Sequence, residues 1–113
     1  MRLPDVDPFQ ALADPSRRAI IDLLSKNKST INALAENFEM SRPAVSKHVK
    51  ILTEAGFIYI EDIGRERYCS LHADGFNAVQ DWISYYEQFW TGKLQALDKF
   101  LSNREPVGKK RKR

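Results

Sequence analysis

Apolar residues along the chain recur at a helical period, change to a strand period after Gly56, and return to the helical period near Asp74. The first short helical segment carries Phe9, Leu12 and Ala13 behind Pro4, Asp5, Asp7 and Pro8. Asp14-Pro15 ends it and starts the next helix, because proline suits a first turn and drives its predecessor out of the helical region. That second helix holds Ile20, Ile21, Leu23 and Leu24 and fades into the polar run from Ser25 to Ser29. Thr30 then precedes Ile31, Leu34, Ala35 and Phe38, an i, i+3, i+4, i+7 set that predicts a short amphipathic helix. After a turn at Glu39 and Met40, Ser41 supplies an N-cap and Pro43 fits the first turn. Val45, Val49 and Leu52 mark the buried stripe of this helix, which runs to Ala55 and stops at Gly56.

Phe57 to Ile63 is β-branched and aromatic, Gly64 lies in a turn with Arg65 and Glu66, and Arg67 to Leu71 returns, which predicts a two-stranded hairpin. From Asp74, read as an N-cap, to Asn103 the helical stripe is Phe76, Val79, Ile83, Tyr86, Trp90, Leu94, Leu97 and Leu101, widened by Trp82, Tyr85, Phe89 and Phe100. Residues 1–103 read as one domain and residues 104–113, with Pro106, Gly108 and a basic run, as a disordered basic tail. The predicted class is mainly α with a small β-hairpin. Helix, helix, turn, helix, hairpin is the order of a winged helix-turn-helix, in which the helix after the turn enters the DNA major groove.

Charge sharpens this picture once it is located. The formal net charge of +3 is a property of the end of the chain: Lys109, Lys110, Arg111, Lys112 and Arg113 leave 13 basic against 15 acidic side chains in residues 1–108. Against that net negative body, residues 41–50 carry Arg42, Lys47 and Lys50 and no acid. The exposed residues of the helix read as Arg42, Ala44, Ser46, Lys47, His48 and Lys50, and with Pro43 they form the predicted DNA-binding set, joined by Arg65 and Arg67 on the hairpin. Arg42 suits bidentate contact with a guanine edge, Ser46 and His48 can donate to or accept from bases, and Lys47 and Lys50 can neutralise phosphates. Small Ala44 and Ser46 allow close approach. Arg17 and Arg18 open the second helix, where contact with phosphate and simple solvation are equally open.

The residues also resemble a known family. Ala13-Asp14-Pro15-Ser16-Arg17-Arg18, Ala33-Leu34-Ala35 and above all Ser41-Arg42-Pro43-Ala44-Val45-Ser46-Lys47-His48 closely resemble the ArsR-type winged-helix repressors, and Ala55-Gly56-Phe57-Ile58 with Gly64-Arg65-Glu66-Arg67-Tyr68 extends the likeness through the wing. The resemblance implies a sequence-specific transcriptional regulator. It would be a homodimeric repressor on an inverted-repeat operator of double-stranded DNA, released by an unidentified small-molecule or protein effector or by regulated synthesis. The metal-sensing members carry a Cys-x-Cys box; here those positions are Thr30 and Asn32, and the last helix has no histidine, so no metal and no cofactor is expected.

The single Cys69 excludes an intrachain disulfide and suits a reducing cytoplasm; its strand parity with Leu71 turns it toward the core rather than toward redox chemistry. No phosphate loop or nucleophile arrangement indicates an enzyme, and no apolar run is long enough to span a membrane. The broad apolar face of the last helix exceeds what so short a chain can bury. Dimerisation through the N- and C-terminal helices is expected, with Phe9, Leu12, Trp82, Tyr86, Phe89, Trp90, Leu94, Leu97 and Leu101 at the interface. A pocket among these aromatic residues for an apolar effector is a further use of that face. The alternative function is a winged-helix protein-interaction module whose basic face binds an acidic partner.

Overall fold

The computed structural model describes residues 6–104. In chain order they form α1 (Pro8–Ala11), α2 (Pro15–Leu24), β1 (Ser29–Thr30), α3 (Ile31–Ala35), α4 (Arg42–Glu54), β2 (Ile58–Ile63), β3 (Glu66–Leu71) and α5 (Ala73–Arg104).

Four helices start at a side-chain cap. Asp7 accepts from the Phe9 amide, Asp14 from Ser16, Thr30 from Ala33 and Ser41 from Ala44, each satisfying an amide that the first turn leaves without a backbone partner. The core closes around Ile20 and Leu24 of α2, Leu34 of α3, Val45, Val49 and Leu52 of α4, and Phe57, Ile58 and Cys69 of the sheet. Cys69 is 1% exposed, as its strand parity implies.

The sheet has three strands in the order β1-β3-β2, one more than the expected hairpin. Ser29 and Thr30 pair with Cys69 and Tyr68 as a two-residue edge strand inside a run that reads as a polar linker; two residues are too few to display a strand period. The β2–β3 turn is also tighter than expected. Ile63 pairs with Glu66, so Glu66 belongs to β3 and the turn is Gly64-Arg65, with Gly64 at φ +65° where an L side chain is strained.

Helix α5 begins at Ala73, so Asp74 lies inside the first turn rather than at the N-cap, with its carboxylate 3.3 Å from the His72 ring. The helix start is fixed instead by backbone bonds: the His72 amide donates to Phe57 O and the Gly75 amide to Gly56 O, both at 2.8 Å. Glycine is required here. A Cβ on Gly75 would stand 2.7 Å from the Phe57 ring, and Gly56 has φ +89°.

By their contacts the described residues fall into two compact units that divide between Gln80 and Asp81. The second unit is helix α5 from Asp81 onward, in which neighbouring rings meet at steep angles: Trp82 and Tyr86 tilted with centroids 5.0 Å apart, and Tyr85 and Phe89 edge to face at 5.9 Å. The helix includes Arg104, one residue past the expected domain end; the remainder of the expected tail, 105–113, lies outside the described residues.

Candidate nucleic-acid interface

Helix α4 turns its apolar stripe inward, and this decides what the other side chains can do. Arg42, Pro43, Lys47 and Lys50 are exposed. Ala44, Ser46 and His48, expected to be exposed, are half-buried, because they flank Val45 and Val49 where the helix packs on its neighbours. Lys47 has no ion-pair or hydrogen-bond partner among the described residues, and neither does Arg65 at the tip of the wing.

The other cations are held. The Arg42 guanidinium donates to the Asn32 side chain of α3, which ties the first turn of α4 across the helix-turn-helix. Lys50 donates to Glu54 one turn on, at 2.6 Å, and this hydrogen bond raises the pKa of the Lys50 ammonium. On the wing, Arg67 donates to Asp62 at 3.1 Å across the β2–β3 pair. Both ion pairs are open to water, so phosphate can compete for these cations at little cost. Lys50 and Arg67 line one cleft of ≈ 280 Å³ between α4 and the wing, together with Ser46, Thr53, Glu54, Ile31, Val49 and Ile60.

Arg17 is engaged inside the fold. Its guanidinium donates to Ala11 O at 2.7 Å and Gln10 O at 3.3 Å, stands 3.7 Å from the Asp14 carboxylate, and reaches Nδ1 of His48 at 3.3 Å. Asp14 is held below the usual carboxylate range chiefly by the Ser16 amide, with partial burial as the next-largest effect opposing it and the Arg17 guanidinium and amide adding to the lowering. Arg18 donates to Leu12 O at 2.6 Å from an exposed position. The Arg17–His48 and Arg42–Asn32 contacts carry no signal in the periodicity, since they join residues 31 and 10 positions apart.

The positions expected to lack thiolates have other duties: Thr30 caps α3 and Asn32 accepts from Arg42. Among the described residues no three His, Cys, Asp or Glu side chains are grouped to hold a metal ion, and no helix is long and apolar enough to cross a membrane. Of the expected dimer residues, Leu12 is half-buried against the core of its own chain, and Phe9 is exposed. Trp82, Tyr86, Phe89, Trp90, Leu94, Leu97 and Leu101 are all exposed, Trp90 at 63%.

The model of the arsR family of bacterial regulatory proteins matches residues 14–59, from the cap of α2 into β2. The HTH-type transcriptional regulator Rv2034 of Mycobacterium tuberculosis (strain ATCC 25618 / H37Rv) is 37% identical over 98 residues, covering 86% of this chain and 91% of that protein. The transcriptional repressor SdpR of Bacillus subtilis (strain 168) is 37% identical over 81 residues, 72% of this chain and 87% of its own length. A solved ArsR family transcriptional regulator superposes with a TM-score of 0.67 at 38% identity, covering 74% of this chain and 87% of that one. These relatives regulate transcription and are not enzymes. The chain belongs to the ArsR family of winged-helix transcriptional regulators.

Proposed function

We propose that this regulator is a metal-independent homodimeric repressor that binds an inverted-repeat operator in cytoplasmic DNA, with α4 in the major groove and the wing on the adjacent backbone. The observation that carries the reading is that Lys50 of α4 and Arg67 of the wing line one cleft, near a Lys47 unpaired among the described residues, on a body whose acidic side chains outnumber its basic ones. Cations gathered from two elements onto one face supply phosphate contacts, while Arg42, Ser46 and His48 supply groups that discriminate bases. Pro43 and Ala44 keep that face low.

Two copies pair through the exposed aromatic and leucine positions of α5, joined by Phe9 of α1 and Leu12 at its C-cap. Such a pair sets its recognition helices about 34 to 36 Å apart, one turn of DNA. Thr30 and Asn32 offer no soft ligands, so release from DNA uses a small-molecule or protein effector or regulated synthesis instead of a metal. Residues 1–103 form the binding and dimerisation domain, and the basic end of the chain adds attraction to phosphate.

Selection of bound duplexes from a random pool, followed by binding at graded salt, tests the reading. An imperfect palindrome with a steep negative salt slope is the expected result, unchanged by zinc, cadmium or arsenite. Equal binding to selected and random duplexes would overturn it in favour of an acidic protein partner.

A further inference from the structure

The contact between α2 and the recognition helix fixes more than a distance. Arginine carries only donors and does not lose its proton in proteins, so Nη1 of Arg17 at 3.3 Å from Nδ1 of His48 requires a bare, accepting Nδ1. A neutral imidazole with Nδ1 bare carries its proton on Nε2. Arg17 is itself held in place: its other nitrogens donate to Ala11 O and Gln10 O, and Asp14 flanks the same Nη1 at 3.7 Å. Its side chain is 14% exposed. Among the described residues nothing takes up Nε2 of His48, which leaves it the uncommitted nitrogen of this half-buried ring.

We propose that Arg17 is a positioning residue that locks His48 in the Nε2–H form, so that this histidine meets DNA only as a hydrogen-bond donor. The partner is then an acceptor: a phosphate oxygen, or N7 or O6 of guanine, N7 of adenine or O4 of thymine in the major groove. Cytosine N4 and adenine N6, which are donors, are excluded. The inference rests on the reading of α4 as the DNA-binding element and narrows what that element can recognise.

Four measurements on the full chain test it, using a duplex selected by the wild type. Long-range proton–nitrogen NMR of the His48 ring at about pH 8, above the ordinary histidine value of about 6.5, should show Nδ1 bare, and Arg17→Lys should shift the Nδ1 resonance. A protonated Nδ1 in the wild type overturns the proposal without reference to DNA. His48→Gln, whose amide nitrogen reaches the place of Nε2, should retain most of the affinity, while His48→Asn should lose at least about fivefold; the reverse order overturns it.

In a double-mutant cycle, Arg17→Lys should weaken binding at least about fivefold in the wild-type background and have no further effect beside His48→Ala. Equal losses in both backgrounds would mean that Arg17 contacts phosphate or holds the fold on its own. Thermal melting of each variant confirms a folded chain at the assay temperature, and His48→Gln keeps the donor question decidable if Arg17 variants melt. Single substitutions that remove each acceptor in turn (methylphosphonate for phosphate, 7-deazapurine for N7, 2-aminopurine for guanine O6 and 5-methyl-2-pyrimidinone for thymine O4) then distinguish phosphate from base: the substitution whose effect vanishes in His48→Ala names the acceptor, and none doing so overturns the donor role. Failure of the wild type to prefer any duplex defeats the DNA reading alone, because the NMR result stands apart from it.

Discussion

Replacing Gly75 with alanine tests the junction that joins the end of α4 to the start of α5. The added methyl would lie 2.7, 2.8 and 2.9 Å from three carbons of the Phe57 ring, where ordinary carbon contacts begin at about 3.5 Å. The ring cannot simply retreat: it is 0% exposed and meets Phe76 edge-on with centroids 4.8 Å apart. Nor can the glycine withdraw, since its amide is bound to Gly56 O at 2.8 Å and the next hydrogen bond is His72 to Phe57 O. Overpacking of this kind costs about 1–3 kcal/mol, offset by at most ~1 kcal/mol from replacing a helical glycine with alanine. The net expectation is a loss of roughly 1–2 kcal/mol, which for a chain of this size lowers Tm by about 4–8 °C per kcal/mol. Circular dichroism melting and urea titration measure it. Phe57→Leu should be less damaging beside Gly75→Ala than alone, because the smaller side chain vacates the space the methyl needs. A Gly75→Ala variant as stable as the wild type would refute the reasoning, and so would additive effects of the two changes.

Other consequences are more direct. Replacing Trp90 and Leu94 together by glutamate should shift sedimentation toward monomer at micromolar concentration and weaken operator binding in parallel; an unchanged dimer would remove α5 from the interface. Deleting residues 109–113 should weaken operator and random DNA alike and flatten the slope of log affinity against log salt by about 0.9 for each phosphate no longer neutralised, whereas equal slopes would make that end a solubilising appendage. Asp14 has a folded pKa below its ordinary 3.8, so its contribution to stability is complete above that value and disappears as pH falls through the lower, folded one. Asp14→Ala should therefore lower stability by about 1 kcal/mol near neutrality, the usual worth of an N-cap, and by progressively less in acid; a loss independent of pH would contradict the assignment.

What the sequence discloses and what it conceals divide along physical lines. Caps and periods are local: Asp14-Pro15, Ser41 and the Val45, Val49, Leu52 stripe announce the helices because the responsible forces act within one or two turns. Strand β1 is concealed because its two residues become a strand only by pairing with Tyr68 and Cys69. Gly75 lies in the first turn of α5, where glycine is ordinarily a poor helix former, and its necessity appears only when the Phe57 ring is set against it. Ala44, Ser46 and His48 read as exposed because the apolar period of α4 marks a single buried stripe. In the fold, the helix is packed closely enough that the positions beside the stripe are half-covered too.

The same distinction governs the candidate interface. Grouping Arg42, Lys47, Lys50, Arg65 and Arg67 by charge treats them as equivalent, yet the structure separates them by their partners. Lys47 and Arg65 are uncommitted among the described residues; Lys50 and Arg67 are lightly held by Glu54 and Asp62 in exposed pairs that phosphate can replace; and Arg42 is braced by neutral Asn32, which leaves its charge unneutralised while restricting its direction. A cation whose charge is intact but whose orientation is fixed is better suited to reading a base edge than to gathering phosphate. A cation screened by a nearby carboxylate attracts random DNA less than a bare one. The acidic neighbours thus favour discrimination over general adhesion, and Arg17 extends that principle to His48 by fixing which of its ring nitrogens can donate.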